Sequence, residues 1–160
     1  MRKMLIGIHD KNCSGRAVAY VMKHHANSTN LDITFVHVFP NLPAMFWDDG
    51  HLLTSKEKQE RQKVIDTWIS KERDYIEPII QGAMNELVKK GFPRERVHMK
   101  FVLGSADIAD SLLDEVKIGK FDTLTIGRCG IADGKHLVLG SIVSKLIHKA
   151  PNGLAICIVQ

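Results

Sequence analysis

A chain of 160 residues, 44% of them hydrophobic, is long enough for one well-buried core and too short for two ordinary domains, so a single domain over residues 1–160 is expected. Its formal charge of +4, from 22 basic and 18 acidic residues in no block of five or six like charges, and its 6% aromatic content argue against a nucleic-acid surface or a base-stacking platform. Cys13, Cys129 and Cys157 form an odd set without a C-x-x-C pair, which excludes a disulfide framework and a zinc ribbon and suits a reducing cytosol.

From the N-terminus, Met1-Arg2-Lys3 runs directly into the apolar Met4 to Ile8, too short for a signal-peptide core and readable as a first strand. Further strand-like runs lie at Ile33 to Phe39, Val97 to Leu103, Thr123 to Ile126 and Leu154 to Val159. Each is separated from the next by a helical pattern, and strands alternating with helices predict a parallel sheet covered on both faces. The first helix is expected to start near Cys13-Ser14 and to bury Ala17, Val18, Val21 and Met22. After the second strand, Pro40 to Gly50 carries Phe46 and Trp47 in an irregular segment; it is either a lid or partner surface, or a loop that merely packs these rings on the domain.

From Thr54 to Lys90 one helical period runs through Ile65, Ile69, Ile76, Ile80, Ala83 and Leu87, and Gly91 ends it. Pro78 removes a backbone donor inside this run, which predicts a bend or a break. The third helix follows Gly104-Ser105, with Ser105 as its expected N-cap and Asp107 suited to the positive helix end. The last helix, Ile142 to Lys149, opens at Gly140-Ser141 and ends at Ala150-Pro151. No apolar run approaches the roughly 20 residues needed to span a bilayer.

The densest functional signal is Gly127-Arg128-Cys129-Gly130 with Gly140-Ser141 farther on, a loop between a strand and a helix N-terminus. Glycine lets backbone approach a ligand closely, and a helix N-terminus offers unpaired N–H groups to an anion. Neither common phosphate pattern accounts for it. Gly134-Lys135 is followed by His136 where a Walker loop requires Ser or Thr, and only Gly7 and Gly15 stand where a dinucleotide G-x-G-x-x-G would lie.

The spacing Gly127, two residues, Gly130, nine residues, Gly140-Ser141 resembles the nucleotide motif of the ATP-binding branch of the universal stress protein family. The similarity continues through Asp10, His37-Val38, Gly104-Ser105-Ala106-Asp107-Ile108, Leu137-Val138-Leu139, Ala150-Pro151 and the last strand, and so spans nearly the whole chain. It implies an α/β three-layer sandwich around a five-stranded parallel sheet, Rossmann-like and similar to the adenine nucleotide α-hydrolases. It also implies that Asp10 and the backbone near Val38 hold the adenine and ribose end of ATP, or of another adenine nucleotide, with Mg2+ or Mn2+ as a possible companion of its phosphates. Gly127, Gly130, Gly140 and Ser141 would then hold the phosphates, with Arg128, Ile142 and Val143 beside them.

His9 is either a further nucleotide contact or an ordinary strand-end histidine. Val143 stands where the family often has a second hydroxyl, and Lys11-Asn12 where a Gly-Ser pair is usual. Arg128 or Lys135 could compensate for a lost phosphate contact, or be solvated charges. Cys129 is either redox-sensitive beside that cation or a small filler. His24-His25 have no partners at ligand spacing, so no zinc site is expected.

The resemblance thus points to a cytoplasmic regulatory module that binds ATP in a stress response and has no catalytic residues. A slow ATPase or autophosphorylating enzyme, or a dimeric interaction protein that no longer binds nucleotide, are the alternatives. The apolar Leu154 to Val159 would expose a sheet edge unless covered, and the family supplies the cover, a homodimer through this strand. Neither nucleic acid nor membrane is an expected partner.

Overall fold

The computed structural model describes residues 1–9, 11–28, 30–39, 53–104, 107–128 and 140–160. The expected alternation is present: β1 (Arg2–Gly7), α1 (Lys11–His25), β2 (Leu31–Phe39), α2 (Ser55–Lys89), β3 (Val97–Leu103), α3 (Ile108–Gly119), β4 (Thr123–Gly127), α4 (Ser141–Lys149) and β5 (Ala155–Val159). The strands form a five-stranded sheet in the order β3-β2-β1-β4-β5, every neighbouring pair parallel. This is the three-layer α/β architecture that the alternating pattern and the resemblance imply.

Because side chains alternate across a strand, β1 feeds two cores. Met4 and Ile6 join Ala17, Val18 and Val21 of α1 and Ile76, Ile80 and Leu87 of α2 on one face. Leu5 joins Val36, Leu124 and Ile126 under Leu112 and Val116 of α3 and Val143 and Leu146 of α4 on the other. Right-handed crossovers require this division. The chain winds from β1 out to β3, then returns across the sheet to β4 and continues to β5. The reversal lies between β1 and β4, so their C-terminal ends splay their outgoing loops apart, which is where open α/β sheets form a ligand crevice.

Several local expectations need correction. α1 starts at Lys11, ahead of Cys13-Ser14, though Met22 does pack on its buried side, partly buried against the same core as Ala17, Val18 and Val21. α2 is continuous across Pro78, not broken there. Only one intrahelical donor is lost at a proline, and Ile76 and Ile80 on either side are wholly buried, so packing retains the helix. Its start is a capping box between Thr54 and Glu57. Its end is a Schellman turn, with Gly91 at φ 95° and the amides of Gly91 and Phe92 donating to the carbonyls of Val88 and Leu87. The N-cap of α3 is Asp107, whose carboxylate accepts from the Ala109 amide at 2.8 Å; the cap expected at Ser105 lies outside the described residues. The 40–52 segment with Phe46 and Trp47 also lies outside them.

Candidate functional site

The C-terminal end of β1 is pinned by three hydrogen bonds. Ile8 donates its amide to the Val36 carbonyl at 2.8 Å, the Ile8 carbonyl accepts from His37 Nδ1 at 2.8 Å, and the His9 amide donates to Ser14 Oγ at 2.8 Å. Ser14, 2% exposed, is thus committed to holding the turn into α1. Gly7 precedes this turn because nothing larger fits easily: an added Cβ would lie 3.1 Å from Ile126 Cγ2. Gly104 is tighter, with its added Cβ 2.9 Å from the Phe39 carbonyl oxygen and 3.0 Å from Val38 Cγ1.

At the end of β4, Gly127 pairs with Val159 of β5 and Arg128 donates its amide to the Val159 carbonyl at 2.7 Å. Arg16 of α1 reaches the Arg128 carbonyl at 3.4 Å. Across the crevice, Gly140 occupies the N-cap of α4 at φ −56° and ψ 154°. That conformation is open to any residue, so a left-handed backbone is not what places glycine here. Ser141 is the first helical residue and not the cap: among the described residues no side chain caps α4, and its first turn contains no acid. The first internal bond runs from the Ser144 amide to the Gly140 carbonyl at 3.0 Å. The amides of Ser141, Ile142 and Val143 therefore have no acceptor within the helix.

These elements enclose a cavity of about 200 Å³ at the β1/β4 reversal. Gly127, Gly140, Ser141 and His9 line it, and Val38, Ile126, Val143 and Leu112 supply apolar wall. Ile142 also lines it. Of the residues singled out in the sequence, His9, Val38, Gly127, Gly140, Ser141, Ile142 and Val143 therefore meet at one cavity. Arg128 adjoins it in the chain. Asp10, Cys129, Gly130, Lys135 and His136 lie outside the described residues.

Val143 is both cavity wall and core, 5% exposed. Ile8, Ser14, Ile108 and Leu112 also line the cavity, although the sequence does not mark them as ligand contacts. Their shared signal is position, directly after a strand or in the first turns of a helix, and that signal is visible only once the strand order is known.

A cavity lined by apolar side chains, by amides with no acceptor within their helix and by a serine suits a ligand with an apolar part and an anionic part. The neighbouring charges are tied to the frame: Lys145 of α4 pairs with Asp107, and Lys149 with Asp110 at 2.7 Å, stitching α4 to α3. The Lys145 ammonium, followed by the Ala109 amide, holds the Asp107 carboxyl below its ordinary range against the opposing effect of burial. Among the described residues, no group of three His, Cys, Asp or Glu could hold a metal ion, and no helix is long and apolar enough to cross a membrane.

Residues 1–157 match the model of the Universal stress protein family. In structure the chain is similar to a universal stress protein from Archaeoglobus fulgidus, with a TM-score of 0.66 at 13% identity, covering 100% of this chain and 94% of that one. It is similar to a universal stress protein in complex with cAMP, with a TM-score of 0.62 at 17% identity, covering 99% of this chain and 96% of that one. A third is a family protein from Arabidopsis thaliana with AMP bound, with a TM-score of 0.56 at 13% identity, covering 100% of this chain and 93% of that one. No curated protein matches the chain in sequence.

Proposed function

Since this chain belongs to the universal stress protein family, we propose that it is a regulatory module that binds an adenine nucleotide, ATP by its motif, and acts by holding that nucleotide without turning it over. The observation that carries this is the cavity at the β1/β4 reversal, which joins apolar wall to the uncapped start of α4 and to Gly127, Gly140 and Ser141. Charge-assisted hydrogen bonds from such donors to phosphate contribute about 1.5–3 kcal/mol each. Relatives bearing cAMP and AMP support the adenine part of the reading. Asp10 and Gly130 complete the site in the family motif. Mg2+ or Mn2+ accompanying ATP would be held by phosphate oxygens and water.

The test is mass spectrometry of nucleotide carried through purification, followed by equilibrium binding of ATP, ADP and AMP to the stripped protein. Retained or rebound adenine nucleotide that is recovered intact after long incubation is the expected result. Cleavage that scales with protein would move the assignment to a slow ATPase, and absence of binding to a nucleotide-free interaction protein. The same reading includes a homodimer through β5, whose Ile156, Cys157, Ile158 and Val159 are each only partly buried at the sheet edge. Light scattering at micromolar concentration should give twice the chain mass; a monomer would refute it.

A further inference from the structure

His37, near the end of β2, is the one wholly buried imidazole among the described residues. A carbonyl can only accept, so the 2.8 Å contact between Nδ1 and the Ile8 oxygen requires the proton on Nδ1. Nε2 then carries a lone pair, and it has no hydrogen-bond partner among the described residues. Facing it at 3.5 Å is Glu72 Oε1 from α2. Two acceptors are therefore opposed, the imidazole wholly buried and the carboxylate partly exposed, an arrangement that gains a hydrogen bond only when a proton arrives on Nε2.

The surroundings limit what else could supply that proton. Phe39 and Phe101 meet the ring edge-on, at 5.3 Å and 6.2 Å between centroids. From α2 come Glu72 and Arg73, the latter with its guanidinium 4.8 Å over the Phe101 ring; β1 contributes the Ile8 carbonyl and then His9; β3 presents Phe101. Burial lowers the pKa of His37, the Ile8 carbonyl and Glu72 oppose that, and His9 reinforces it. On one side the ring holds the Ile8 carbonyl, and Ile8, His9 and Val38 all line the cavity. On the other it faces α2 where that helix leaves the core: Ile76 is buried, but residues 55–75 are all half-buried or exposed.

Resting on the adenine-nucleotide reading, we propose that His37 and Glu72 form a proton-operated latch between α2 and the cavity wall, closed cooperatively by a proton on Nε2 and an anionic nucleotide in the cavity. A proton taken from solvent turns Nε2 into a donor to Glu72 while Nδ1 continues to hold Ile8. It also places a positive charge one residue from the cavity lining, in a medium where charge interactions are stronger than in water. A negatively charged ligand then favours the protonated ring, and by linkage the protonated ring favours the ligand. His37 is in this scheme a positioning residue that acts through Ile8.

Long-range ¹H–¹⁵N NMR of the full chain, with the His37 signals assigned by their loss in His37→Gln, tests the latch residue by residue. The Nδ1–H tautomer is expected at neutral pH. Saturation with AMP should move the His37 titration midpoint to higher pH, saturation with uncharged adenosine should not, and Glu72→Gln should move the midpoint of the free protein down. An Nε2–H tautomer overturns the latch, as does a midpoint unmoved in AMP-saturated protein or in Glu72→Gln. Each of those results leaves the nucleotide site standing, whereas failure of AMP to bind removes the nucleotide reading and the latch with it.

Discussion

The N-termini of α3 and α4 lie at the same edge of the sheet and cover the same face, yet they resolve their unpaired amides in opposite ways. At α3 the chain supplies its own anion: Asp107 caps Ala109, its carbonyl accepts from the amide and hydroxyl of Ser111, and Lys145 neutralises its charge. At α4 no side chain among the described residues caps, the first turn holds no acid, and Ser141 is an exposed residue lining the cavity. Since a helix N-terminus favours negative charge wherever it comes from, the difference is one of source. α3 is completed by its own aspartate, whereas at α4 the described residues supply no anion, and the proposed function assigns that role to the ligand.

The sharpest way to break this contrast is to give α4 the cap that α3 has. Gly140→Asp fits the φ −56°, ψ 154° backbone, so the fold should keep its stability or gain a few tenths of a kcal/mol. Calorimetric titration should show AMP affinity reduced roughly 30-fold, corresponding to about 2 kcal/mol of lost and opposed charge interaction. Undiminished affinity would mean that α4 is not the anion end. The converse change, Asp107→Ala, removes a cap and should cost about 1.5 kcal/mol of stability. Thermal unfolding would register that as about 2–4 °C per kcal/mol at this chain length, with AMP affinity changing little.

A smaller effect separates ligand donor from structural hydroxyl. Ser141→Ala should weaken AMP binding about fivefold, the loss of one hydrogen bond of about 1 kcal/mol, while the unfolding temperature stays put. A fall in that temperature with affinity intact would instead make the hydroxyl part of the frame.

How far the sequence carried each terminus differs for a physical reason. The α4 end was legible because its determinants are local: Gly127 closes an apolar strand, and Gly140-Ser141 opens a helical period that ends at a proline. The α3 end was misjudged by two residues, Ser105 for Asp107. Both side chains can cap, and what favours Asp107 includes Lys145, which comes from 38 residues away. Of the bend or break expected at Pro78 the break is absent, since the buried Ile76 and Ile80 that retain the helix act through tertiary packing and not propensity. In the sequence His37 stands out only as part of the family match. Its tautomer and its opposed Glu72 require β1, β2 and α2 to be assembled first.

Lys145 belongs to the open helix but is engaged by the closed one, so it yields the smallest and most discriminating test. The pair is half-exposed at the lysine, whose side chain is 48% exposed, so Lys145→Met should cost only about 0.5 kcal/mol. Its clearer signature is in acid. The Asp107 carboxyl is held down chiefly by the Lys145 ammonium, so the folded state binds that proton less readily than the unfolded chain. The contribution is therefore complete above the ordinary aspartate value of 3.8 and is lost as pH falls through the depressed folded value. Removing Lys145 should bring the start of acid unfolding to higher pH, and removing Asp107 should make that limb insensitive to the lysine. AMP affinity should change less than about twofold, since the cation is committed to α3 and is not a ligand group. A tenfold loss would show that Lys145 transfers from Asp107 to the bound phosphate, and the two helix ends would then be a single site sharing one cation.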